Sequence, residues 1–324
     1  MPQIRITAGG LRRSQVMLTL VTGASGFAGS ALIPTLSAEG HTVRAYGRSA
    51  ERITDSGARP HEIVVGDAIA GSGLDEALAG VDVAYFLIHS MESAPTEFGE
   101  REHQAAQNFA AAATAAGVRR IVYLGVLTPA DDGHASEHVR SRAAVEALLA
   151  GAAPEVVALR ASIAIAARSR SFRFLVRLTE RLPVMALPSW RDFRTQPVDG
   201  RDVIAALLAA GTHGGLPGHR TLDLVGPEVV TYGELVERIR DLLLIDRPRL
   251  ALPISMTPVA SVVAAAIAGE DVGLIRPLME GLSGDLLPSH PSATELLGVR
   301  VHALDAAIEH ALGDWERTEP LSAR

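Results

Sequence analysis

The chain has 324 residues, with 48% hydrophobic and 21% charged side chains and a formal net charge of −7. That is a globular composition with no basic excess for nucleic acid or an acidic membrane, long enough for one large domain or two closely packed ones. It contains no cysteine, and every one of its 30 Lys/Arg positions is arginine. Thiolate nucleophiles, disulfides, cysteine-bound metal centres, Schiff-base lysines and a P-loop lysine are therefore excluded.

From the amino end, Arg5, Arg12 and Arg13 precede an apolar stretch that runs straight into a glycine motif, with no signal-peptidase site, so a cytoplasmic protein is expected. Met17 stands where the first strand begins, and residues 1–16 are expected to form a disordered extension. Residues 18–22, Leu-Thr-Leu-Val-Thr, read as a buried strand and 26–38 as the helix after it. The unit repeats, with strands expected over 42–46, 62–65, 83–87, 120–124 and 156–159 and helices notably over 100–116 and 137–149. Such alternation predicts an α/β protein, a doubly wound parallel-sheet Rossmann fold.

After Arg160 the rhythm changes. Helices are expected over 171–181, 202–210, 232–244 and 304–312, and extended chain over 195–198 and 221–225, joined by segments such as Gly214-Gly215-Leu216-Pro217-Gly218. A smaller, mainly helical C-terminal lobe, residues 166–324, is expected to pack on a domain of residues 17–165 whose sheet later segments complete. The charge-free run 250–269 is interrupted by Pro253 and Pro258, which favours a buried or groove-lining helix over 258–268 and no membrane span.

Thr22-Gly23-Ala24-Ser25-Gly26-Phe27-Ala28-Gly29 places glycines three apart between the first strand and the first helix. Gly23 suits a tight turn, Gly26 admits close approach of a pyrophosphate, and Gly29 lets the helix lie near the strand. The helix N-terminus would add partial positive charge facing the phosphates, the signature of a dinucleotide site, the alternative being a turn that is only a sharp connection. At the end of the second strand stand Tyr46, Gly47 and Arg48, without the carboxylate an NAD ribose usually meets. Arg48, supported by Ser49 or Arg52, can pair with a 2′-phosphate, which favours NADP(H) over NAD(H); a solvated loop arginine is the alternative. Asp67 suits either an adenine contact or a loop cap. The expected cofactor site comprises Gly23, Ser25, Gly26, Phe27, Gly29, Arg48, Asp67, Leu87 and His89.

The turn resembles the TGxxGxxG motif of short-chain dehydrogenases/reductases. The stretches Val83-Ala84-Tyr85-Phe86-Leu87-Ile88-His89-Ser90-Met91, Arg120-Ile121-Val122-Tyr123-Leu124-Gly125 and Ser136-Glu137-His138-Val139-Arg140-Ser141-Arg142 resemble the atypical, NmrA-like NAD(P)H-binding branch, also termed nucleoside-diphosphate-sugar epimerase-like. The similarity continues through Arg194-Thr195-Gln196-Pro197-Val198 and Gly226-Pro227-Glu228 to about Leu312. Active members of that family carry a serine after the fifth strand and a Tyr-x3-Lys pair on the next helix. Here the serine position is Gly125 or Val126, and His138 and Arg142 occupy the other two. None of Tyr46, Tyr85, Tyr123 and Tyr232 has a lysine four residues on.

His138 and Arg142, four apart on one helix face, suggest an imidazole general acid, with Arg142 holding either its orientation or the cofactor ribose; a solvent-facing helix residue is the alternative. His89, at the carboxyl end of the fourth strand, is a third catalytic candidate. Tyr123, Trp190, Arg194 and Gln196 are expected to line the substrate pocket. Arg160, Arg168, Arg170, Arg173 and Arg177 suit either an anionic substrate or a solvated helix face. No metal-ligand spacing occurs among the histidines. The expected function is an oxidoreductase moving hydride between NADP(H) and a small organic substrate without the serine, tyrosine and lysine. The alternatives are a non-catalytic dinucleotide sensor or scaffold and, more weakly, a sugar-nucleotide epimerase. Oligomeric state is not readable from the sequence.

Overall fold

A computed structural model describes residues 16–89, 95–129, 136–181, 185–187, 189–246, 249–251 and 284–321. Residues 1–15 and most of the run 250–269, including the expected helix over 258–268, lie outside the described residues.

Seven parallel strands form the main sheet. β1 (Leu18–Thr22) lies at its centre between β2 (Thr42–Gly47) and β4 (Val83–Phe86), with β3 (Glu62–Val65) beyond β2. On the other side follow β5 (Arg120–Val126), β6 (Glu155–Ala161) and an edge strand, β11 (Gly218–Leu224). The order β3-β2-β1-β4-β5-β6-β11 reverses direction between β1 and β4, creating the crevice in which open α/β sheets bind ligands. β4 reads as a continuous apolar run, all four residues buried, because helices cover both faces of the sheet.

One face carries α1 (Phe27–Ala38), α2 (Ala50–Asp55) and α7 (Gly200–Thr212) over a core that includes Val21, Leu32, Val83 and Leu207. The other carries α3 (Leu74–Leu78), α4 (Pro95–Ala115) and α5 (Glu137–Leu149) over Leu20, Phe86, Phe109 and Val145. Ser136 caps α5, its hydroxyl accepting from the Val139 amide at 3.3 Å.

β7 (Ala164–Ile165), α6 (Arg170–Arg181), β8 (Met185–Leu187), β9 (Arg194–Thr195) and β10 (Val198–Asp199) follow β6. After β11 come β12 (Val230–Thr231), α8 (Tyr232–Leu242), β13 (Arg249–Ala251), α9 (Ala293–Leu297) and α10 (Leu304–Glu316). A third core unites α6, α8 and α10 around Trp315, beneath the Arg173 and Arg177 guanidinium groups at 4.0 and 4.8 Å from its ring centroid. α7 and β11 belong to the main sheet's layers although they follow the first segments of this third core in sequence, so the chain leaves the sheet and returns to it. Among the described residues no helix is long and apolar enough to cross a membrane.

Candidate functional site

The turn between β1 and α1 lies at the carboxyl end of the central strand. Gly23 has φ +62°, and a Cβ there would collide with the Leu87 carbonyl just past β4, so both conformation and space demand glycine. A Cβ at Gly29 would collide with the Gly23 carbonyl. Gly26 has extended backbone, and a Cβ there would meet only the Gly23 carbonyl, at 3.2 Å, so packing alone does not demand glycine. Gly26 nonetheless caps α1 without a side chain, and it is exposed together with Ser25. Amides at a helix start that no side chain caps form a cradle that fits a diphosphate.

Beside the turn lies a buried charged cluster. The Glu102 side chain on α4 is 2% exposed; its Oε1 meets His89 Nδ1 at 2.9 Å and accepts from Arg142 Nη1 at 3.3 Å, and its Oε2 accepts from the Ser141 hydroxyl at 3.0 Å. Arg142 also donates to the Ile88 carbonyl at 3.2 Å and to the Leu124 carbonyl, and its guanidinium stacks on the Tyr123 ring at 4.8 Å. The His89 and His138 rings are 5.1 Å apart.

Burial alone would raise the Glu102 carboxyl, but the Arg142 charge and the His89 hydrogen bond hold it at about 2. Burial, with Arg142 and His89 beside it, drives His138 down to about 3. His89 is also lowered, by burial first, with the Glu102 hydrogen bond opposing. The cluster therefore holds an ionised carboxylate and two neutral imidazoles at neutral pH.

A family model described as NAD(P)H-binding matches residues 23–163, from the first glycine of the turn to just past β6. Residues 23–163 form an NAD(P)H-binding domain. A 3-beta-hydroxysteroid dehydrogenase of Mycolicibacterium neoaurum is 34% identical over 121 residues, which is 34% of this chain; the match spans about a third of that relative, 32% of its length. The crystal structure of gox2253 shares the fold with a TM-score of 0.72 at 21% identity, covering 94% of this chain and 99% of that one. A nucleoside-diphosphate-sugar epimerase from Staphylococcus aureus matches with a TM-score of 0.71 at 16% identity, covering 90% and 100%.

Within this NAD(P)H-binding domain the other expected residues take varied places. Phe27 turns its ring toward the start of α7, where a Cβ on Gly200 would lie 3.1 Å from its Cζ. Arg48 is exposed at the end of β2, and the Ser49 hydroxyl expected to support it instead caps α2, accepting from the Arg52 amide at 3.2 Å. Asp67 caps its own loop, accepting from the Ile69 amide at 3.0 Å.

Several expectations are corrected. Tyr123 does not line a pocket: it is fully buried in β5, and its hydroxyl donates to the Arg142 carbonyl at 3.0 Å. Trp190 packs inside the C-terminal core, edge-on to Tyr232 at 6.3 Å. Arg142 is committed to Ile88, Leu124 and Glu102, so its guanidinium is a strut of the fold and not a group extended to a ribose. A general-acid role for His138 requires a proton that its surroundings displace well above pH 3. Arg194 pairs with Asp285 at 2.7 Å with its side chain 57% exposed, while the Gln196 amide donates to the Gly226 carbonyl at 2.6 Å.

Within the basic run Arg168 and Arg170 are exposed, while Arg160, Arg173 and Arg177 are engaged by other side chains. Arg160 bonds Glu146 and Thr128, and Arg173 and Arg177 bond Glu319. Arg168 reaches back to the glycine turn, donating to Ser30 Oγ, the Ser56 carbonyl and the Ser25 carbonyl.

Sequence reasoning missed Glu102. The available signal was its register: it begins a stripe continued by Ala105, Ala106, Phe109 and Ala113, all buried on one face of α4. A carboxylate on an otherwise apolar face needs an internal partner.

Proposed function

We propose that the chain is an NADP(H)-dependent oxidoreductase that moves hydride between the nicotinamide and a small organic substrate held against the C-terminal lobe, using neither the serine nor the Tyr-x3-Lys pair. The observation that carries this reading is the contiguity of turn and cluster. Gly23 packs on the Leu87 carbonyl, and the next carbonyl, of Ile88, is held by the same Arg142 that binds Glu102. A phosphate cradle and a buried acid–base cluster thus share the crevice end of the sheet, where a hydride carrier and its substrate must meet.

The first-turn amides of α1 would hold the diphosphate, and Asp67 would meet the adenine. Arg48 would meet a 2′-phosphate, since the end of β2 offers no carboxylate for a free ribose hydroxyl. When bound, the dinucleotide supplies the hydride chemistry; the protein supplies position, water exclusion and the proton. The reading is of a cytoplasmic protein acting on small molecules.

The test is fluorescence titration of NADPH and NADH, followed by cofactor oxidation across carbonyls, quinones and enones. Micromolar binding with turnover supports the reading; no binding of any nicotinamide dinucleotide removes it.

One observation favours a second reading, a dinucleotide sensor or scaffold. Arg142, where the family carries its lysine, is tied into the protein interior, and at Gly125, one of the two candidate serine positions, a Cβ would lie 2.9 Å from the Tyr123 ring. Tight binding without turnover of any substrate in the panel would support the sensor. A sugar-nucleotide epimerase is weaker, because that chemistry leans on the missing tyrosine.

A further inference from the structure

We propose that Glu102 and His89 form a carboxylate–imidazole pair in which Glu102 fixes the ring with Nδ1 protonated, making His89 Nε2 a proton acceptor for a hydroxyl-bearing substrate. This rests on the oxidoreductase reading above and assigns its proton chemistry and substrate class.

The tautomer follows from donor and acceptor inventory. An ionised carboxylate only accepts, so the imidazole nitrogen 2.9 Å from Glu102 Oε1 must carry the hydrogen. Glu102 cannot turn away: Ser141 donates to its other oxygen at 3.0 Å, and Arg142 donates to the oxygen that faces His89. A neutral ring protonated at Nδ1 has its lone pair on Nε2, so any group meeting that nitrogen must donate. A hydroxyl does so; a ketone oxygen cannot.

Among the described residues, the charged and titratable groups around the ring come from three helices. Glu102 comes from α4, His138 and Arg142 from α5, and Arg170 from the start of α6. Burial and the two arginine charges oppose a second proton on His89, and only the Glu102 contacts favour one. The ring is therefore neutral at rest, as a base must be. Its location is also suitable: His89 is two residues past Leu87, which abuts Gly23 of the turn, and 35% of its side chain is exposed.

In the forward step the hydroxyl O–H bond breaks and its proton moves to His89 Nε2. The carbinol C–H bond breaks with its electron pair passing as hydride to an oxidised nicotinamide dinucleotide, leaving a carbonyl product. The substrate loses two electrons and the dinucleotide gains them, and His89 later returns its proton to solvent. Glu102 is a positioning residue that acts through His89.

The tautomer can be read without turnover. Long-range proton–nitrogen correlation spectra of 15N-labelled protein at neutral pH, with His89 identified by loss of its signals in His89→Gln, should show Nδ1 protonated and Nε2 bare. A ring protonated at Nε2, or at both nitrogens, overturns the proposal. With NADP+ and a panel of secondary alcohols, His89→Gln should lose about 100-fold or more in rate. Wild-type rates in that variant also overturn it. Glu102→Gln, which retains an oxygen acceptor, should move the lower pH limit of the rate; an unchanged pH profile argues against the positioning role. Should Glu102→Gln fail to fold, the wild-type spectrum alone decides. A correct tautomer in a protein that binds no dinucleotide would defeat the oxidoreductase reading and not the pair itself.

Discussion

The Arg168 guanidinium donates to the Ser30 hydroxyl at 2.9 Å, joining the segment after β7 to the second turn of α1 across 138 residues of chain. The same group donates to the Ser25 carbonyl at 3.2 Å and to the Ser56 carbonyl at 2.7 Å, so the glycine turn is gripped from the C-terminal half of the protein. Gly26 N–H meanwhile bonds the Gly23 carbonyl at 3.0 Å, pinning the turn from its inner side.

Arg168→Ala should therefore loosen the cradle without touching the adenine end. The expected outcome is a parallel rise in the dissociation constants of NADH and NADPH, about tenfold each, the weight of one or two charge-assisted hydrogen bonds. Calorimetric titration of both nucleotides checks this. A loss confined to NADPH would instead place Arg168 on the 2′-phosphate.

Gly26 and Gly29 separate folding from binding. Gly29→Ala drives a Cβ into the Gly23 carbonyl, so a loss of about 1–3 kcal/mol of stability is expected, as for other overpacked sites. Gly26→Ala meets only one atom, at 3.2 Å, in an ordinary extended backbone, and stability should stay within about 1 kcal/mol. Its methyl would nonetheless stand before the exposed helix start, and dinucleotide affinity should fall at least about tenfold. Urea denaturation and fluorescence titration of the two variants test the contrast.

What the sequence made legible divides along a physical line. Short buried runs alternating with helical segments revealed β1 through β6, and glycine spacing revealed the turn, because those signals are local and strong. The terminal residues of β5 and β6 were missed, since Gly125 interrupts the β5 run before Val126 and Ala161 continues the ladder without a strong strand preference of its own. The return of α7 and β11 to the main sheet is a long-range pairing, with Thr221 opposite Ala158, that no local pattern encodes. Tyr123 and Trp190 were misplaced because an aromatic near a motif looks the same in sequence whether it faces a cleft or the core. Only the neighbouring Arg142 carbonyl and Tyr232 ring settle which.

Arg48→Ala tests cofactor choice. If Arg48 pairs with a 2′-phosphate, NADPH should lose about tenfold or more in affinity through the missing charge-assisted contact, with NADH nearly unchanged. Equal losses would remove the assignment. High salt should narrow the wild-type preference, because an exposed ion pair is screened.

The buried cluster also predicts an acid-sensitive fold. Glu102 titrates at about 2 in the folded chain against an ordinary 4.5, so its contribution is complete above pH 4.5 and is lost as pH falls toward 2. His138 has an ordinary value of 6.5 and about 3 when folded. Below pH 6.5 the unfolded chain takes up a proton that the folded chain refuses, so stability again falls as pH falls, and it does so earlier. Urea midpoints should therefore begin to drop below about pH 6.5 and steepen below about 4.5 as the carboxylate joins. His138→Asn keeps a polar side chain but cannot titrate, and it should flatten the upper part of that decline while leaving the lower part. A variant whose midpoints follow the wild-type curve between those two pH values would show that His138 is not held neutral by its surroundings.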